Sequence, residues 1–152
     1  SVPPQAGREP EPYWRNCRTY TCGLWTLFHI TSVAVAEGSV RSQQGFLANG
    51  KLPPPEALAR VRGFVAHFFG CQECASNFLQ TFDSCGMGRC ELDGSDGKGA
   101  ALWLWKVHNS VTKRIKAKEG GSARNSSGAW PTRAACSACW TEGPEEGFDS
   151  KA

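Results

Sequence analysis

Phe68-Phe69-Gly70-Cys71-Gln72-Glu73-Cys74-Ala75-Ser76-Asn77-Phe78 is the stretch on which the fold turns. A helix-spaced apolar run, Leu58, Val61, Val65, Phe68 and Phe69, ends there near Gly70. A shorter helix should follow at once, from about Cys71 to Phe82. Its first turn holds two thiols separated by two residues, close enough to form a small disulfide. A helix N-terminus favours thiolate over thiol and lowers the thiol pKa. That is what a redox-active pair needs, although a purely structural disulfide has the same spacing.

Outward from this stretch the pattern stays helical. Pro54 and Pro55 suit the start of the preceding helix, and Glu56 suits its first turn. Residues 41–53 read as a linker. Before them, a helix is predicted from Cys22 to Glu37, carrying Leu24, Leu27, Phe28 and Val35 and ending at Gly38. After the thiol helix, residues 84–99 form a Gly/Asp-rich loop that Cys85 and Cys90 could close. A fourth helix is predicted from Ala100 to Lys118, with Leu102, Trp105, Val111 and Ile115 on its apolar side. Lys116 and Lys118 suit its C-terminal end. Residues 120–128 are rich in Gly and Ser, and residues 130–140 read as a short ordered piece. No strand-period run and no internal repeat is visible. The expectation is an all-α domain at 13–140, between an extended leader at 1–12 and an acidic tail at 141–152.

Composition narrows the function. A chain of 152 residues with 40% hydrophobic residues fits one domain with a moderate core. Its net charge of +3 is small and scattered, with no basic run, so no nucleic-acid partner is expected. The longest apolar stretch, 24–36, is broken by Thr26, His29, Thr31 and Ser32, too polar for a membrane span of about 20 apolar residues. The polar, proline-rich start without an initiator Met reads as that of a fragment or a mature domain. The eight cysteines fall in close pairs: Cys17 and Cys22, Cys71 and Cys74, Cys85 and Cys90, Cys136 and Cys139. Such pairs suit disulfides or metal ligation. Asn125-Ser126-Ser127 is an N-glycosylation acceptor. Together these features favour an oxidising, secretory environment.

Aromatic crowding is the second signal. Trp25, His29, Trp103, Trp105, His108 and Trp130 are many for so short a helical chain. Each alone reads as a core residue. Beside a CxxC pair they suit a planar, partly polar cofactor, which needs stacking faces and a few placed donors.

Four blocks then carry a resemblance to the Erv/ALR sulfhydryl oxidases. Cys22-Gly23-Leu24-Trp25-Thr26-Leu27-Phe28-His29 resembles the family's first FAD-contact helix. Residues 68–78 resemble its flavin-proximal CxxC helix. Leu102-Trp103-Leu104-Trp105-Lys106-Val107-His108-Asn109-Ser110-Val111 resembles its HN-x-V helix. Trp130-Pro131-Thr132-Arg133, followed by Cys136-Ser137-Ala138-Cys139, resembles the quiescin branch. The blocks keep the family's order and span residues 18–139.

The resemblance implies a four-helix bundle with FAD at its mouth, lacking a further C-terminal helix. It implies FAD contacts at Arg18, Trp25, His29, Glu73, Trp105, His108, Asn109, Val111 and Trp130. It makes Cys74 the flavin-side cysteine and Cys71 the one that exchanges with incoming thiols, with electrons passing through FAD to oxygen. Substrates would be thiols, delivered in a full-length protein by a thioredoxin-like domain. The location would be the endoplasmic reticulum, the Golgi or outside the cell, with a membrane anchor possible elsewhere in the full-length protein. Thr112 stands where the family usually has a second Asn, Asn77 where animal quiescin oxidases tend to have His, and Ser127 where a Lys is often found, and Cys85 and Cys90 are not placed by the resemblance. Short separations make local closure cheap, so the pairs Cys17–Cys22, Cys71–Cys74, Cys85–Cys90 and Cys136–Cys139 are expected to be oxidised.

The rival class is a zinc-binding structural module that uses Cys71, Cys74, Cys136 and Cys139 as a four-thiolate site. No metal is expected on the oxidase reading. An Erv-like scaffold without its flavin is a third class, which the intact CxxC disfavours. The purified chain should be yellow, with a flavin absorption band. A colourless protein carrying one zinc per chain would overturn the oxidase reading.

Overall fold

A computed structural model of the chain describes residues 19–40, 51–118, 129–132 and 137. Among these, four α-helices and one 3₁₀ segment form a bundle, and no strand is present. The helices are α1 (Tyr20–Ala36), α2 (Pro54–Phe68), α3 (Gln72–Asp83) and α4 (Gly97–Lys118). The all-α expectation holds, and each predicted helix is present.

Local chemistry fixes the ends. Thr19 caps α1, its side chain accepting from the Cys22 N–H at 3.2 Å. The helix closes in a Schellman motif: Gly38 takes φ +68°, its N–H reaches the Val35 carbonyl, and the Ser39 N–H reaches the Ala34 carbonyl. Pro54 and Pro55 stand in the first turn of α2, where a missing N–H costs nothing. Helix α4 begins at Gly97, three residues before the predicted start. The Asp96 carboxylate explains this by accepting from the Gly99 N–H at 2.6 Å. Residues 84–99 are also more ordered than a plain loop, because Gly86–Glu91 forms the 3₁₀ segment.

Helix α4 is the spine of the core. Trp103, Leu104 and Val107 are almost fully buried, with Leu104 at 0% exposure. They meet Phe28 of α1, Val61 and Val65 of α2, and Phe78 and Phe82 of α3 in one cluster. Burying side chains like Leu104 and Val107 contributes about 1.5–3 kcal/mol each. The buried stripe differs from the predicted one. Leu102, Trp105 and Val111 are half-buried and Ile115 is exposed, so the helix is rotated toward 100, 103, 104 and 107.

Helix α4 runs back along α1, and the two cross most tightly where one ends and the other starts. A Cβ built on Gly97 would lie 2.5 Å from the Ala36 Cα. Backbone cannot give way as a flexible side chain can. Gly97→Ala should therefore lower stability by about 1–3 kcal/mol, read from the urea midpoint. An unchanged midpoint would show that the two helices separate freely.

Candidate active site at the Cys71–Cys74 disulfide

Cys71 is the N-cap of α3, and its sulfur accepts from the Cys74 N–H at 3.3 Å. The two cysteines are joined, with Cα atoms 5.2 Å apart. The helical turn orients them differently. Cys71 is exposed, while Cys74 is half-buried and lines a cleft. All four helices contribute to that cleft, whose enclosed volume is about 60 Å³. Leu24, Trp25 and Phe28 come from α1, and Val65 from α2 with Phe69 just beyond it. Phe78 lies on α3, and Val111, Arg114 and Ile115 on α4. The walls are apolar except for Thr21, Arg114 and the sulfur. That lining suits one face of a flat, largely apolar ring.

Trp25 links this cleft to a second cluster. Its ring stacks on His108 at 4.3 Å between centroids and 5° between planes. His29 stacks on Trp130 at 4.0 Å. Between the stacks, His29 Nε2 and His108 Nδ1 lie 2.9 Å apart, so one ring donates and the other accepts. Burial, and then the neighbouring His108, push the His29 pKa down to about 3. Burial pushes His108 down to about 4. Both imidazoles are therefore neutral at ordinary pH. Rings at 4.0 and 4.3 Å are already in contact, so a planar ligand would stack on the outside of the cluster rather than between them.

Asn109 holds this cluster together. It is buried on α4, donates from Nδ2 to the Trp130 carbonyl at 3.0 Å and accepts on Oδ1 from the Trp130 N–H at 2.7 Å. Trp105 Nε1 donates to the same carbonyl at 2.5 Å. Trp130, 21 positions along the chain, is thus fixed through its backbone.

Among the predicted cofactor residues, Trp25 and Val111 line the cleft beside Cys74. His29, Trp105, His108, Asn109 and Trp130 make up the adjoining cluster. Glu73 is exposed and ion-paired with Lys118, which holds its carboxyl below the usual range. Arg18, Cys17, Asn125, Cys136 and Cys139 lie outside the described residues. Cys22 is disulfide-bonded, and Cys85–Cys90 is closed as expected. The sequence reading missed Phe69, Phe78, Arg114 and Ile115. The signal for Arg114 was its place one turn beyond Val111.

The sequence model of the Erv1 / Alr family matches residues 22–131. "Sulfhydryl oxidase 1" of Homo sapiens is 38% identical over 133 residues, covering 87% of this chain and 16% of that protein. The protein of the same name from Arabidopsis thaliana is 29% identical over 151 residues, covering 92% of this chain and 25% of that one. Among solved structures, "Sulfhydryl Oxidase Fragment of Human QSOX1" superposes with a TM-score of 0.60 at 32% identity. That match covers 95% of this chain and 52% of the fragment. The chain therefore spans well under two thirds of the length of these relatives.

The histidine pair sets a pH dependence. Both groups bind protons less readily folded than unfolded, so stability is full above their ordinary pKa of 6.5 and falls as pH drops toward 4 and 3. The thermal midpoint should be lower at pH 4.5 than at pH 7.5. The double substitution His29→Gln, His108→Gln should shrink that difference. An undiminished difference would place the acid sensitivity elsewhere.

Proposed function

The chain belongs to the Erv1 / Alr family, and we propose that it is an FAD-dependent thiol oxidase that converts dithiols to disulfides at Cys71–Cys74. The observation that carries this reading is the asymmetry of the disulfide: Cys71 faces solvent, while Cys74 lines an apolar cleft shared by all four helices. A staple with no further role has no need of such a division.

The reaction follows from that asymmetry. A substrate thiolate attacks the exposed Cys71 sulfur in line with the disulfide bond, forming a mixed disulfide. The bond's electron pair leaves on Cys74, whose thiolate is favoured by the first turn of α3. The second substrate thiol attacks the substrate sulfur of the mixed disulfide and expels Cys71. The substrate has then become a disulfide, and both protein cysteines are reduced. When bound, FAD supplies a two-electron acceptor that returns the pair to the disulfide and passes the electrons to oxygen, giving hydrogen peroxide. Leu24, Trp25 and Phe78 keep the Cys74 side of the cleft apolar, and Arg114 adds a positive charge to its wall. Arg18, Trp25, His29, Glu73, Trp105, His108, Asn109, Val111 and Trp130 are the proposed cofactor contacts.

The proposed setting is the secretory pathway, with Cys17–Cys22 and Cys136–Cys139 as further disulfides and Asn125 as a glycosylation site. Protein thiols would arrive through a thioredoxin-like domain. Zinc is the weaker reading, because closure of Cys71–Cys74 withholds both thiolates from a metal. Cys74→Ser should keep its flavin colour yet lose dithiol-driven oxygen consumption entirely. Turnover persisting in that variant would remove Cys74 from the electron path.

A further inference from the structure

The other closed pair, Cys85–Cys90, is not used by this mechanism. It follows the far end of α3, a helix of 12 residues and so about 18 Å long. That distance rules out direct exchange with Cys71–Cys74.

Three observations meet at this pair. First, both cysteines are exposed, so an incoming thiol can reach them. Second, Arg89 places Nη2 3.0 Å from the Cys90 sulfur and 3.6 Å from the Cys85 sulfur. The guanidinium is held there by contacts that do not involve sulfur. Its Nε donates to the Phe82 carbonyl at 2.6 Å, and its centre lies 4.2 Å above the Phe82 ring. Asp83 does not draw it away, being engaged by Arg62 in a two-pronged ion pair. Third, Cys85 and Met87, both non-glycine residues, take φ of 58°. That left-handed conformation is unfavourable for them and easier to leave once the ring opens.

We propose that Cys85–Cys90 is a second thiol-exchange site of this chain, opened by low-molecular-weight thiols. A thiolate attacks the Cys85 sulfur, a new bond joins the two, and the Cys85–Cys90 bond breaks. The electron pair goes to the Cys90 sulfur, which becomes a thiolate against a fixed cation. A leaving thiol of lowered pKa departs faster. A second thiolate attacks the small-molecule sulfur of the mixed disulfide and expels Cys85. Two small thiols have then become one disulfide; of the two protons they gave up, one is taken by the expelled Cys85 and the other goes to solvent, while Cys90 stays a thiolate beside Arg89.

The test uses the native chain in millimolar glutathione, quenched at intervals with an alkylating reagent and mapped cysteine by cysteine. Cys85 and Cys90 should open while the chain remains folded, with the first glutathione adduct on Cys85. Arg89→Gln should slow opening about tenfold, and Arg89→Lys should keep most of the rate. A disulfide that resists until the chain unfolds would overturn the proposal, and so would an adduct on Cys90. If Arg89→Gln opens as fast as the native chain, or faster, Arg89 only ties the loop down and the proposal fails.

Discussion

Everything at the candidate site depends on one constraint: Cys71 is the N-cap of an α-helix and Cys74 sits in its first turn, so the two joined sulfurs are not presented alike. The cap position lies outside the helical turn, and the third helical position lies within it. Cys71 therefore meets solvent, and Cys74 is turned toward the bundle. The other elements complete this arrangement. Helix α2 ends just before Cys71, so that Phe69 closes one wall, and α4 supplies Val111 and Arg114 opposite.

The second site element works by different physics. A buried His29 and a half-buried His108, both neutral, would be costly if unpartnered, and each supplies what the other lacks. Their flat faces are covered by Trp25 and Trp130. The result is a polar contact sealed between apolar plates, continuous through Trp25 with the cleft that Cys74 lines. Such networks are firm when every member is satisfied, and here Asn109 uses both ends of its amide.

Some of this was legible in the sequence and some was not. The CxxC at a helix start could be read because Gly70 and the cysteines mark a local boundary. The helices could be read from apolar spacing and from Pro54, Gly38 and the lysines of α4. The face that α2 buries could be read as well, since Leu58, Val61 and Val65 are buried as expected, but the faces that α1 and α4 bury could not. Helix α1 is apolar nearly all round, so Leu27, Ile30 and Val33 stay exposed while His29 and Ser32 are buried. On α4 the two tryptophans two residues apart misled, since only Trp103 enters the core and Trp105 turns to Trp130. The Asn109–Trp130 contact was out of reach as well, because nothing local links positions 21 apart.

That contact also leaves chain length free. Asn109 reads the N–H and C=O of residue 130, groups that every amino acid except proline carries, and so it is blind to side-chain identity. The clamp fixes where the chain must return but not the length of the path from the end of α4. Doubling the length of such a connection costs only about 0.6 kcal/mol in closure entropy. The aromatic cluster can therefore keep its geometry whatever the length of chain between the end of α4 and Trp130.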